Sequence, residues 1–307
     1  VTEPRVPAAG DAFQHPMSVG MREGFQVDDI PKDEALHARA AYFGGVSYLD
    51  EVIGDLLVRL DSDGLLDNTI IVYTSDHGEM AGEHGVWWKN GWYEACTRVP
   101  MIISLPGQRS GAAQADHCSV PVGLVDLFPT LCGLAGVETP PGLDGVDLSG
   151  VAAGRSDAPD RPVFCDNLIP RWGEGTEFRM IRWRQYKYVV FRDAAPLFFD
   201  LKADPGEQDN LIGHTLNVEA SAALEHLQSV AAHTMDFDEA QRDRELRDGD
   251  LRETYRQSIP ESTGNLYHMP SGKLISAEDT LYSPTIIDHD GSEAFGSNWQ
   301  LQNRKRK

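Results

Sequence analysis

Cysteine is sparse in this sequence, and no spacing pairs it. Cys96, Cys118, Cys132 and Cys165 form no C-x-x-C, which argues against a zinc site and a dense disulfide framework; buried free thiols are the expectation. Long apolar runs are lacking too. No stretch reaches the ~20 residues of a membrane-spanning helix, and the opening "VTEPRVPAAG" has no basic region followed by an apolar core. It also lacks Met, so a preceding segment is expected and localisation is not legible. Positive charge is in deficit, with 27 Lys and Arg against 48 Asp and Glu and a formal net charge of −21. A nucleic acid or an anionic membrane surface would be repelled overall, so neither is an expected partner.

What is present has the make-up of a globular protein. Of 307 residues, 41% are hydrophobic, enough for one large domain or two of ordinary size. From Glu34, "EALHARAAYFGGVSYLDEVIGDLLVRL" sets Val46, Leu49, Ile53, Leu56, Leu57 and Leu60 at helical spacing, with a soft point at Gly44-Gly45. "TIIVYT" (Thr69–Thr74) has no polar alternation and predicts a strand covered on both faces. "VPMIIS" (Val99–Ser104) predicts a second, and Val125–Leu134 a helix with Pro129 early in it.

A Pro- and Gly-rich stretch then marks a boundary near Gly150. Beyond it, "FRMIRW" (Phe178–Trp183), "YKYVVF" (Tyr186–Phe191) and "PLFFDL" (Pro196–Leu201) predict a small antiparallel sheet, followed by a helix near Val218–Ala232. "DEAQRDRELRDGDLRETYRQ" reads as a solvated helix face. The expected architecture is α/β over residues 1–150, a small α+β subdomain over 151–257, and a weakly patterned tail over 258–307.

One stretch concentrates charge directly behind an apolar run: "SDHGEMAGEHGVWWKNGWYEACTRVP", Ser75 to Pro100. Asp76 and His77 follow the strand, where ligands of open α/β sheets bind. A carboxylate and an imidazole suit a divalent cation, and Lys89 would meet a phosphate or sulfate oxygen. The residues alone leave a second reading open, a surface ion-pair network of little consequence. That plainer reading is preferred for Glu79, Glu83 and His84. Trp87, Trp88 and Trp92 suit packing or a pocket wall, with packing preferred.

The stretch "TSDHGEMAGEHGVWWKNGWYEACTRVPMIISLPG" resembles the second metal-binding block of the sulfatase family, within the alkaline-phosphatase superfamily. "AAYFGGVSYLDEVIGDLLVRLDSDGLLDNTIIVYTSDHG" is similar to the helix and strand leading into it. "VGLVDLFPTLCGLAG" is similar to the next family helix, and "LFFDLKADPGEQDNL" to the C-terminal subdomain. The resemblance runs from about Leu36 to Leu211. Its Asp-His form is similar to the branch of choline sulfatases, phosphonate monoester hydrolases and iduronate sulfatase-like enzymes.

This resemblance implies an alkaline-phosphatase-like mixed sheet flanked by helices, and hydrolysis of sulfuric esters. It implies Asp76 and His77 as ligands of Ca2+ or, alternatively, Mn2+, and Lys89 on the sulfate oxygens. The family's nucleophile, a formylglycine made from Cys in C-x-P-x-R, has no counterpart: neither C-x-P-x-R nor S-x-P-x-R occurs in these residues. The paired N-terminal aspartates and the Pro-His-x-Pro segment are also not found. A C-terminal portion of a sulfatase, inactive alone, is therefore expected. Its partners would be a small sulfated substrate (choline sulfate, a sugar sulfate or an aryl sulfate) and either a second copy or the N-terminal part. The alternatives are a phosphonate monoester or phosphodiester hydrolase of the same superfamily and a non-catalytic sulfatase-like chain.

Overall fold

The computed structural model describes residues 1–6, 11–25, 27, 30–89, 91–111, 117–169, 175–258, 266–268 and 274–276. Contacts divide the chain into two compact units, Val1–Phe237 and Asp238–Lys307.

In the first unit, α1 (Asp11–Gln14) and α2 (Pro16–Phe25) precede the long α3 (Lys32–Ser62). Asp33 and Glu34 in the first turn of α3 and Arg59 in its last suit the helix dipole, and Gly64 beyond its end takes the left-handed φ of +68°. The helix runs unbroken through Gly44 and Gly45, so the expected soft point is not a break. Of the predicted apolar stripe, Ile53, Leu57 and Leu60 are half-buried while Val46, Leu49 and Leu56 face solvent.

Strand β1 (Ile71–Thr74) pairs antiparallel with β2 (Met101–Ser104), in a register that sets Thr74 opposite Met101. Between them lies the short α4 (Glu94–Thr97). Among the described residues no third strand joins this ribbon. The expected two-sided cover of β1 is therefore not found: its four residues are half-buried, and Ile102 on β2 is exposed. Arg109, on α5 (Pro106–Arg109), ties the ribbon's ends together through the carbonyls of Ser104 (2.9 Å), Leu66 (2.6 Å) and Thr69 (2.5 Å).

After β2 come α6 (Leu127–Ala135) and α7 (Ser149–Ala152). Pro129 falls at the third position of α6, where its missing N–H has no helical partner to lose. The fully buried Asp126 anchors this region. Its carboxylate accepts from Gly123 N and Val146 N, each at 2.9 Å, and pairs with Arg161.

Strands β3 (Val163–Asn167), β4 (Phe178–Trp183), β5 (Tyr186–Phe191) and β6 (Leu197–Asp200) form an antiparallel sheet in chain order. Alternation sorts their side chains onto two buried faces. Ile181, Tyr186, Tyr188 and Phe198 pack on Ala220, Ala223, Leu227 and Ala231 of α8 (Val218–Thr234), which Asn217 caps by accepting from Ala220 N at 2.8 Å. Phe178, Met180, Val189, Phe191, Leu197 and Phe199 form the other face, against Met17 and Met21 of α2 and Met80, Trp92 and Tyr93. This second face carries the segment that follows β1.

In the second unit the mixed-charge run is helical, as read: it lies within α9 (Phe237–Ser258), which begins at the last residue of the first unit. β7 (Leu266–His268) pairs antiparallel with β8 (Leu274–Ser276). The rest of the expected tail, residues 259–265, 269–273 and 277–307, lies outside the described residues. Among the described residues no helix is long and apolar enough to cross a membrane.

Candidate functional site

The chain leaves β1 at Thr74 and turns at once. Ser75 Oγ donates to His77 O (2.9 Å), and Asp76 Oδ1 accepts from His77 N (2.9 Å), a local turn that a short carboxylate side chain favours. That N–H is the main reason the Asp76 carboxyl is held below its ordinary value, so the exposed group stays anionic. His77 Nδ1 lies 2.8 Å from Gly78 O, which can only accept, so Nδ1 carries a proton, and in the neutral ring Nε2 keeps its lone pair. Asp76 Oδ2 is 3.4 Å from Nε2, and Lys89 Nζ is 3.0 Å from the same nitrogen. The structure thus brings all three expected site residues to one point at the carboxyl end of β1.

Gly78 is required by contact. A Cβ there would stand 2.1 Å from Ala95 O, and Gly78 N donates to Cys96 O at 2.7 Å, so the turn is pressed against α4. The segment from Glu79 to Lys89 is strained: Ala81, His84 and Trp88 all have positive φ, of 47°, 57° and 65°. Glu79 holds it by accepting from Ala81 N (3.0 Å) and Trp88 N (2.7 Å). Glu83 pairs with Arg39 (3.2 Å) and Arg5 (3.4 Å), while Arg39 Nη1 donates to Ala81 O at 2.6 Å. His84 stacks on Tyr93 with ring centroids 3.8 Å apart, and burial lowers its pKa to about 4. These three residues shape the loop. Trp92 is fully buried in the core, Trp87 half-buried and Trp88 exposed.

Beneath α4 lies an ion cluster that motif reading missed. Lys187 on β5 is fully buried, and its three N–H bonds meet three acceptors: Trp92 O (2.8 Å), Glu94 Oε1 (2.7 Å) and Glu207 Oε1 (2.7 Å). Glu207 Oε2 also accepts from Glu94 N, the first N–H of α4, at 2.7 Å. Burial drives the Glu207 carboxyl upward, with Lys187 opposing it. Burial would raise Glu94 as well, but the ammonium brings it below its ordinary value. The one signal in the sequence was a lysine inside the run "YKYVVF".

Asp76 and His77 fit a divalent cation as two ligands: an anionic oxygen and an imidazole lone pair, close together and open to solvent. Among the described residues no group of three or more His, Cys, Asp or Glu gathers in a metal-holding arrangement, and Asp76 and His77 alone would supply two ligands. Calcium takes 6–8 oxygen ligands.

Comparison with known proteins places the chain in a family. The family model described as Sulfatase matches residues 3–137, and that described as N-sulphoglucosamine sulphohydrolase, C-terminal, matches residues 82–232. An ulvan-active sulfatase of Formosa agariphila is 35% identical over 193 residues, covering 60% of this chain and 37% of that protein. A choline-sulfatase of Rhizobium meliloti is 33% identical over 239 residues, covering 76% of this chain and 45% of that protein. The chain thus spans less than half the length of these two relatives. Among solved structures, a phosphonate monoester hydrolase from Silicibacter pomeroyi superposes with a TM-score of 0.60 at 23% identity, over 90% of this chain and 54% of the other. That likeness shows an alkaline-phosphatase-like fold. With two overlapping sulfatase models that together span residues 3 to 232, this chain belongs to the sulfatase family of the alkaline-phosphatase superfamily.

Proposed function

We propose that this chain serves a sulfuric ester hydrolase, to which it contributes half of a metal and sulfate site. The observation that carries this reading is the meeting of Asp76 Oδ2, His77 Nε2 and Lys89 Nζ at the end of β1. Asp76 and His77 would hold a calcium or, alternatively, a manganese ion, which polarises an ester and stabilises charge developing on its oxygens. Lys89 binds a sulfate oxygen and offsets negative charge on the bridging oxygen as the S–O bond breaks. The Gly78 carbonyl keeps the proton on Nδ1 and so keeps Nε2 free for a ligand.

No residue of this chain stands in the C-x-P-x-R context, so this chain alone is expected to be inactive and to work with a nucleophile supplied from elsewhere. Choline sulfate, sugar sulfates and aryl sulfates fit the single ammonium and the exposed Trp88 nearby. A phosphonate monoester or phosphodiester offers a similar oxyanion to the same ammonium and is the second reading; the superposition on a phosphonate monoester hydrolase motivates it.

The test is mass analysis of the native protein with peptide mapping, joined to turnover of an aryl sulfate and an aryl phosphodiester. A C-x-P-x-R peptide with its Cys converted to the aldehyde, and faster sulfate turnover, are expected. Faster phosphodiester turnover would favour the second reading. A native protein without that peptide and without turnover would overturn both and leave a non-catalytic sulfatase-like chain.

A further inference from the structure

We propose that Lys187 is a positioning residue for the Asp76–His77 turn, acting with Glu94 and Glu207 through α4. The inference rests on reading Asp76 and His77 as cation ligands. Every link is a short bond. Lys187 Nζ holds Glu94 and Glu207 at 2.7 Å each, and Glu207 Oε2 takes the Glu94 N–H at 2.7 Å, which fixes the start of α4 to the four-stranded sheet. At the other end of that helix, Cys96 O accepts from Gly78 N at 2.7 Å. Ala95 O stands so near Gly78 that not even a methyl group fits between them. The same residue, through the peptide unit on the other side of its Cα, presents the Gly78 carbonyl to His77 Nδ1 at 2.8 Å. The tautomer that frees Nε2 is thus set by a carbonyl whose place depends on α4.

The burial pattern supports a purpose beyond cohesion. An apolar side chain at 187 would match Val189 and Phe191, its neighbours on the same face of β5, without the cost of desolvating three charged groups. A buried cation in contact with two carboxylates specifies one position of α4, which nondirectional apolar packing does not.

The test is the 15N signature of the His77 ring in the 307-residue chain, since nitrogen shifts report which ring atom bears the proton. In the unaltered chain the Nδ1–H form should dominate. Lys187→Met should lower its population by about twofold or more, because the carbonyl that selects it is displaced. Asp126→Ala, a lesion at a separate anchor, should lower the melting temperature and leave the His77 signature in place. Should Lys187→Met not fold, Glu94→Gln keeps the Lys187–Glu207 pair and should give a smaller change of the same sign. A normal His77 signature in a folded Lys187→Met or Glu94→Gln chain would overturn the proposal. If the unaltered chain lacks the Nδ1–H form, the ligand reading of His77 fails instead.

Discussion

Lys89 Nζ faces the lone pair of His77 Nε2 at 3.0 Å, so an ammonium stands where a metal ion would bind. On the proposed reading a bound cation would compete with the ammonium for this nitrogen, and the lysine would swing toward an anion when the metal is held. Lys89→Met should therefore bind Mn2+ about three- to tenfold more tightly, as expected for removing one like charge near a solvent-exposed site. The same change should weaken sulfate binding. Asp76→Asn should do the reverse for the metal. Calorimetric titration of the chain with MnCl2, then with sulfate, checks both directions.

Gly78 leaves no room for a side chain beside Ala95 O. Gly78→Ala should destabilise the chain by about 2 kcal/mol or more, since backbone and not a flexible side chain must give way. Urea unfolding, with the loss referred to Gly44→Ala in the open stretch of α3, checks it; the latter should be neutral to stabilising.

Burial depresses the His84 pKa to about 4, below its ordinary 6.5. The unfolded chain takes up a proton below pH 6.5 that the folded chain refuses until about pH 4. Stability from this group is therefore complete above pH 6.5 and lost as pH falls toward 4, by on the order of 3 kcal/mol. His84→Asn keeps a residue type that tolerates the local positive φ. It should flatten the pH dependence of urea midpoints between pH 6.5 and 4 relative to the unaltered chain.

Asp126 is fully buried and serves Gly123 N, Val146 N and Arg161 at once. Asp126→Ala should cost about 3–5 kcal/mol, because it strands two N–H groups and one guanidinium. Denaturant melts read this directly.

Tyr48, Leu49 and Leu56 on α3 are exposed. Tyr48→Lys with Leu56→Lys should leave the unfolding free energy within about 0.5 kcal/mol, while light scattering at high concentration falls. A loss above about 1 kcal/mol would show that this face is covered.

Much of this was legible in the residues. Phe178–Trp183 and Tyr186–Phe191 are strands with the bounds their β-branched and aromatic content gave them, closed by a tight turn at Arg184-Gln185. Asp76, His77 and Lys89 meet because a strand end and a returning loop leave few other places for them. Strand β3 escaped notice, since "VFCDN" is short and its burial alternates behind Cys165 and Asp166. Helix α2 contains Gly20 and Gly24, and what holds it is the burial of Met17 and Met21 on Trp92 and Tyr93, which no local pattern reports. The role of Lys187 was hidden because a charge inside a strand ordinarily points outward. Its carboxylate partners at 94 and 207 are remote in sequence and gather only in the folded chain.

The clasp on α4 also sets an order of events during synthesis. Glu94 and Glu207, joined through the first N–H of the helix, are 113 positions apart. A nascent chain exposes the Asp76–His77 turn long before β5 and the Glu207 loop leave the ribosome. Domains fold largely as units while translation proceeds. On the proposed role of Lys187, the turn can therefore reach its final shape only after the small sheet has been made, so chains that stall between residues 100 and 186 display Asp76 and His77 without their anchor.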